Sequence, residues 1–245
     1  MVYGYRKKNK KSIKRRKRAR TATGKKNKNM FPFSRQSPNT VLSRSTLNRP
    51  MFGDTYSTKL VFAERGYSIQ SSLGVPEGHL FSANGLFDPD ISSITGHQPG
   101  GFDQIMQFYD HYTVSSAKIY VDFHNSDPNL YALIGILTTD GPSTPADYRI
   151  IEENGKGQVA RLNKANVTGD ICSLQSYVDI ASFIGCNDVL DRDELRGTNV
   201  TNPEEQVYFS VWTAPISFTT ALAVGFVVRV EYQVTFTEPK NVALS

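Results

Sequence analysis

Toward the C-terminal end of the chain, Phe226, Val228, Val230, Tyr232, Val234 and Phe236 alternate with Val227, Arg229, Glu231, Gln233, Thr235 and Thr237. A period of two sends successive side chains to opposite faces of a strand, so this segment predicts one long, half-buried strand with an apolar side and a mostly polar side. A second alternation sets Ala117, Ile119, Val121 and Phe123 against Lys118, Tyr120, Asp122 and His124, and predicts another strand with His124 on its exposed face. Segments of strand composition also lie at 59–63, 79–83, 131–139, 158–162, 173–180 and 206–212, broken by clusters of Gly, Pro, Asn and Asp. The run at 131–139 is almost continuously apolar, which places it inside a sheet rather than at its edge.

Helical signals are sparse. Residues 102–110 follow the Gly100-Gly101 pair, and in 145–153 Thr144 stands where a cap would, with Pro145 in the first turn. Eight candidate strands without intervening helices exclude a doubly wound fold and leave an eight-stranded jelly roll or a lipocalin-like barrel. Connections of very unequal length favour the jelly roll. The expected class is all-β.

Charge changes the picture at the other end. Of the 28 Lys and Arg, 17 precede the first acid, Asp54; the remaining 11 face all 23 Asp and Glu, a formal −12 behind a +17 segment. Residues 1–28 have no buriable face and repel themselves, so they are expected to be disordered. Residues 29–53, with Phe31, Phe33, Pro32, Pro38 and Pro50 among Ser, Thr and Asn, read as a tether. The expected division is a basic arm and tether at 1–53 and a jelly-roll domain at 54–245.

A dense cationic segment neutralises a polyanion by releasing its counterions, without reading sequence. The candidate nucleic-acid contacts are Arg6, Lys7, Lys8, Lys10, Lys11, Lys14, Arg15, Arg16, Lys17, Arg18, Arg20, Lys25, Lys26 and Lys28. Within them Lys14, Arg15, Arg16, Lys17, Arg18 and Arg20 also fit a nuclear import signal, which would bring a host import receptor. Tyr3, Tyr5, Phe31 and Phe33 are candidates for stacking on unpaired bases.

Catalytic signals are missing from the sequence: there is no nucleophile elbow, phosphate-binding Gly loop or paired His on a helix, and His79, His97, His111 and His124 are isolated. An enzyme is not expected, nor a cofactor. Asp88, Asp90, His97 and Asp103 lack a spacing that would converge them on a metal. Asp188, Asp191, Asp193 and Glu194 offer hard oxygen ligands without the spacing of a calcium loop, and are expected to form a solvated acidic loop. Cys172 and Cys186 are expected to be buried free thiols, and the sequons at Asn166 and Asn199 to stay unmodified. The charged start and the lack of an 18-residue apolar run predict a soluble protein outside the secretory pathway, with no membrane insertion.

The segment Asn84-Gly-Leu-Phe-Asp-Pro-Asp-Ile91, then Gly96-His-Gln-Pro-Gly-Gly-Phe-Asp-Gln104, then Tyr109-Asp-His-Tyr112 leading into Val114 to Phe123, resembles the capsid proteins of circovirus-like, Rep-encoding circular single-stranded DNA (CRESS DNA) viruses. The basic arm and the last strand extend the resemblance over most of the chain, while a Lys-rich arm departs from the Arg-dominated arms of vertebrate circoviruses. The resemblance implies a viral jelly roll, about 60 copies closed into an icosahedral T=1 shell, an inward-facing arm that packages single-stranded DNA, and residence in the virion and the host nucleus. Coat proteins of small single-stranded RNA or satellite viruses combine the same parts. A cellular nucleic-acid-binding protein with a basic tail is a further alternative, and predicts a basic folded region instead of the −12 observed.

Overall fold

A computed structural model of the chain describes residues 53–71, 74–93, 96–144, 146–153, 155–217 and 220–240. Eight strands run in the order β1 (Thr55–Ser71), β2 (Glu77–Ser82), β3 (Tyr109–Asn125), β4 (Ala132–Thr139), β5 (Gly157–Leu162), β6 (Ile171–Asp179), β7 (Tyr208–Pro215) and β8 (Leu222–Pro239). Each of the eight expected segments overlaps one of them. They form two four-stranded sheets, β1-β8-β3-β6 and β2-β7-β4-β5, with every pairing antiparallel.

The pairing is nested. Strand β1 pairs with β8, β2 with β7, β3 with β6 and β4 with β5, as though one long hairpin had been rolled up from its closed end. Pairings of β3 with β8 and of β4 with β7 then join these four hairpins into the two sheets. That connectivity is the jelly roll, and it excludes the up-and-down order of a lipocalin-like barrel.

The alternation in β8 explains its position. Val224, Phe226, Val228, Val230, Tyr232, Val234 and Phe236 are all at most 2 % exposed and point into the core. Opposite them, Phe81, Ile134, Ile136, Phe209 and Val211 of the other sheet belong to the same buried cluster. Burying a side chain of this size contributes about 1.5–3 kcal/mol, so each inward position of β8 resists a shift in register.

Strand β1 starts before the predicted segment and continues past it because of a bulge. Between Glu64 and Tyr67 it carries one residue more than β8, with Gly66 at φ +82° in the left-handed region that glycine tolerates. The inward positions therefore change from even (Leu60, Phe62) to odd (Ile69, Ser71), and a period-two reading stops at the bulge. A second bulge between Val114 and Ser116 does the same in β3, where Tyr112 and Val114 precede Ala117 and Ile119 on the buried side.

The helices are shorter than expected. Helix α1 (Phe102–Met106) starts after Gly101, whose φ is +89°, and the chain enters β3 at Tyr109 instead of continuing to 110. Helix α2 (Tyr148–Glu153) begins later than Pro145, which lies outside the described residues. Thr144 does not cap it: its Oγ1 is 2.7 Å from Ser210 Oγ, while Asp147 Oδ1 accepts from Arg149 N at 2.9 Å. A third helix, α3 (Ile180–Ile184), was not anticipated, although Asp179 Oδ1 caps it through Ser182 N and Gly185 ends it at φ +83°. Cys172 and Cys186 are free, as expected, but only half-buried against the core.

A second, smaller cluster lies on the other face of the β2-β7-β4-β5 sheet, where Ile151 of α2 covers Leu137, Trp212 and Ala214. Gly135 makes room for it, since a Cβ there would come 2.6 Å from Trp212 Cε2 and 2.4 Å from the Gln158 carbonyl oxygen. Gly135→Ala is therefore expected to lower the stability of the folded protein by about 1–3 kcal/mol, read from its denaturant midpoint, because backbone at that distance cannot yield cheaply. A midpoint equal to wild type would show that Trp212 has space to retreat.

Candidate nucleic-acid interface

All fourteen basic positions from Arg6 to Lys28, the import run within them, and Tyr3, Tyr5, Phe31 and Phe33 lie outside the described residues. Within the described residues, cations and aromatic rings come together on the outward face of the β1-β8-β3-β6 sheet. The strand registers build this face in rungs. Lys59, Gln233, Ser116 and Asp179 form one rung, Val61, Glu231, Lys118 and Tyr177 the next, and Ala63, Arg229, Tyr120 and Gln175 a third.

Glu231 is the electrostatic hub of this face. Its carboxylate accepts from Lys59 Nζ at 2.9 Å and also from Arg229 Nη2. The hydrogen bond from Lys59, outweighing the cost of burial and reinforced by the charges of Arg229 and Lys118, holds its carboxyl below the usual range. Lys118 Nζ and Arg229 Cζ lie 4.7 and 5.5 Å from the centre of the Tyr120 ring, within cation–π range. Three cations thus approach one carboxylate, and with Asp122 and Asp179 on the same face the cations and carboxylates are equal in number.

Beside this hub the sheet is notched. A cavity of about 200 Å³ beside the β3 bulge is lined by residues including Lys59, Ser116, Lys118, Tyr177, Glu231 and Gln233. Tyr177 stands 61 % exposed at its edge. The sequence held the signal, Lys118 and Tyr120 two apart on the polar face of a predicted strand. What β6 and β8 would set beside them depends on register and was not legible.

The loop between β2 and β3 is held by buried polar groups. Asn202 closes a pair of hydrogen bonds with the Asp88 backbone, at 3.0 and 2.9 Å, and the Tyr112 hydroxyl accepts from Leu86 N at 2.9 Å. Asn84 does likewise with Val207 N and the Glu205 carbonyl. Gly85 and Gly197 allow these approaches, since a Cβ would meet Asn202 at 2.5 Å and Tyr112 at 2.2 Å. Asp90, 1 % exposed, accepts from His79 Nε2 at 2.6 Å and from the Tyr67 hydroxyl, tying the loop to β2 and β1.

Asp88 and His97 line one cavity of about 430 Å³, but Asp88, Asp90, His97 and Asp103 do not converge as metal ligands: His97 stacks on Phe62 at 4.7 Å and pairs with Glu64 at 3.1 Å, while Asp90 is committed to His79 and Tyr67. In the acidic loop Asp188, Asp191 and Asp193 are exposed, as expected, and the chain makes two 3₁₀ turns at Val189–Asp191 and Asp193–Leu195, seated by buried Val189 and Leu195. There Asp188 Oδ1 accepts from Leu190 N, Asp193 pairs with Arg196 at 3.0 Å and Glu194 with Arg192 at 2.7 Å. Among the described residues, no three His, Cys, Asp or Glu converge as metal ligands, and no helix is long and apolar enough to cross a membrane.

Burial pushes the Asp90 carboxyl up, but hydrogen bonds from His79 and Tyr67 outweigh it and hold the group below its ordinary value. Its contribution to stability is therefore present above the ordinary carboxylate pKa of about 3.9 and is lost as pH falls through the lower folded value. Asp90→Asn is expected to cost about 1–3 kcal/mol at neutral pH. The deficit should shrink as the wild-type carboxyl protonates. Melting curves compared from pH 7 down to pH 3 check this, and a deficit independent of pH would contradict it.

No protein-family model matches the sequence, and no curated protein does. Among solved structures the chain is similar to that of Cocksfoot mottle virus, with TM-score 0.45, 9 % identity, and 76 % of this chain and 97 % of that chain covered. It is also similar to tobacco necrosis virus, with TM-score 0.44, 11 % identity and coverage of 78 % and 86 %. A third likeness is to Mud crab tombus-like virus, with TM-score 0.43, 11 % identity and coverage of 81 % and 98 %. At TM-scores below 0.5 these likenesses carry no argument, and the jelly-roll assignment stands on the strand pairing of this chain itself.

Proposed function

We propose that this chain is a viral coat protein, a jelly-roll subunit that assembles into a closed shell and packages single-stranded nucleic acid with residues 1–53. The observation that carries this reading is the division of charge: 17 Lys and Arg and no acid before Asp54, then 11 Lys and Arg against 23 Asp and Glu. A single net charge of +5 would suit many proteins. Segregation suits a wall, where a cationic segment condenses a polyanion on one side and an acidic body avoids binding it indiscriminately.

The finer terms of the proposal come from the resemblance to circovirus-like capsid proteins: a DNA genome, about 60 copies in a T=1 shell, and passage through the host nucleus on the run Lys14 to Arg20. Charge supports the scale. About 60 arms of +17 carry roughly 1,000 positive charges, enough to neutralise on the order of a thousand phosphates, which suits a genome of roughly 1 to 2 kilobases.

Electron microscopy of the purified full-length protein is expected to reveal uniform closed particles holding nuclease-protected nucleic acid that DNase digests once the particles are opened. A chain lacking residues 1–28 is expected to assemble while losing most of that nucleic acid. A stable monomer at micromolar concentration would overturn the shell. Undiminished cargo in the truncated chain would overturn the role of the arm, and cargo digested only by RNase would redirect the proposal to an RNA virus.

A further inference from the structure

We propose that the free edge of β6 docks a second copy of this chain, pairing antiparallel with the same strand of that copy about a two-fold axis through Gln175. The inference rests on the coat reading, for which it names one contact between copies.

The sheet edges are the first argument. An edge strand offers a row of unpaired N–H and C=O groups, which proteins shield with charge, bulges, short strands or covering loops. Three of the four edges here are shielded. Strand β1 carries Lys59, Glu64 and Arg65 and a bulge, and β5 has only six residues, one of them Arg161. Strand β2 is covered by residues 89–92, where Ser82 N donates to the Pro89 carbonyl at 2.8 Å and Ile91 N to the Leu80 carbonyl at 3.1 Å. Strand β6 has none of these devices. Its nine residues include no Lys, Arg, Pro or Gly, pair with β3 without a register shift, and among the described residues form a ladder with no other strand. Ile171, Ser173, Gln175 and Tyr177 are exposed on its outward face, and even the inward Cys172 and Leu174 are only half-buried.

Self-complementarity is the second argument, and it selects a second copy as the occupant. Residues directly opposed in an antiparallel pair share a face, so a two-fold axis at Gln175 overlaps the whole strand and sets Gln175 against the partner's Gln175, Ser173 against the partner's Tyr177 and Ile171 against the partner's Asp179. The two amides can each donate and accept. On the inner side the partner's Leu174 falls opposite Ser176, at an open cleft of about 330 Å³ lined in part by Ser176, Val178, Lys156 and Phe183. Charge agrees with this register. Lys118 stands beside Tyr177, Asp122 beside Ser173 and His124 beside Ile171. Across the axis Lys118 therefore shares a rung with the partner's Asp122, and Asp179 with the partner's His124. Asp179, the one charge on β6, lies about 27 Å along the strand from the partner's Asp179, at about 3.4 Å per residue.

The test uses the full-length protein with Cys172→Ser and Cys186→Ser, assembled and then mildly oxidised. Adding Gln175→Cys is expected to give covalent dimers on a non-reducing gel, since directly opposed Cβ atoms lie about 4.5–5.5 Å apart, close to disulfide reach. Ser173→Cys and Tyr177→Cys are expected to cross-link when mixed with each other and not when each is alone, which reads the register. In the native-cysteine chain, Gln175→Lys is expected to keep the wild-type melting curve, lose particle formation through like charges opposed at the axis, and recover it when mixed with Gln175→Glu. Particles that give no covalent dimer with Gln175→Cys, or Gln175→Lys protein that assembles as wild type does, would overturn the edge contact and leave the coat reading standing; an edge occupied by residues 29–53 would give that result. Cross-linking of Ser173→Cys with itself would overturn the register. Covalent Gln175→Cys dimers without particles would uphold the contact and overturn the shell.

Discussion

The architecture depends on one strand. β8 hydrogen-bonds to β1 on one side and β3 on the other, while seven of its side chains, from Val224 to Phe236, fill the space between the sheets. Any slip by one residue would turn Val227, Arg229 and Gln233 into the core and expose the apolar set, so its register is the constraint from which the others follow. Once β8 is seated, β1 and β3 are fixed in register beside it. With them are fixed the two bulges and the rungs of the outward face.

That constraint links core to surface. The inward positions of β8 and β3 bury their side chains, and the same pleat necessarily points Lys118, Tyr120, Arg229 and Glu231 outward in adjacent rungs. The cation-and-tyrosine cluster is thus held by the packing behind it, without support from loops. The bulge in β3 flips the phase of the strand so that Tyr112 reaches under the loop between β2 and β3.

The loop between β2 and β3 illustrates a different economy. It contains much of the segment that carries the family resemblance, and its polar residues are largely spent on holding it in place. Asn84, Asn202 and Tyr112 satisfy backbone groups, and Asp90 the side chains of His79 and Tyr67, in buried or half-buried positions where an unpartnered polar atom would be costly. The carboxylates and the histidine that could have suggested a metal are engaged elsewhere, Asp90 with His79 and Tyr67 and His97 with Phe62 and Glu64.

Period-two patterning is a local property, so the existence of the eight strands was legible in the sequence, together with the inward faces of those at 117–123 and 226–236. The charge division was legible for a simpler reason, since it is a count. Strand lengths were not, because the Glu64/Tyr67 and Val114/Ser116 bulges reverse the alternation partway along β1 and β3. Helix α3 was too short for its period to register, although Asp179 and Gly185 marked its ends. By itself, then, the sequence determined an all-β chain with an acid-free cationic segment. Only the tertiary structure decided that the strands nest as a jelly roll, and that Tyr177 and Glu231, far apart in the chain, flank Lys118 on one rung. Pairing between distant strands is set by how two apolar faces close over a shared core, which no local pattern contains.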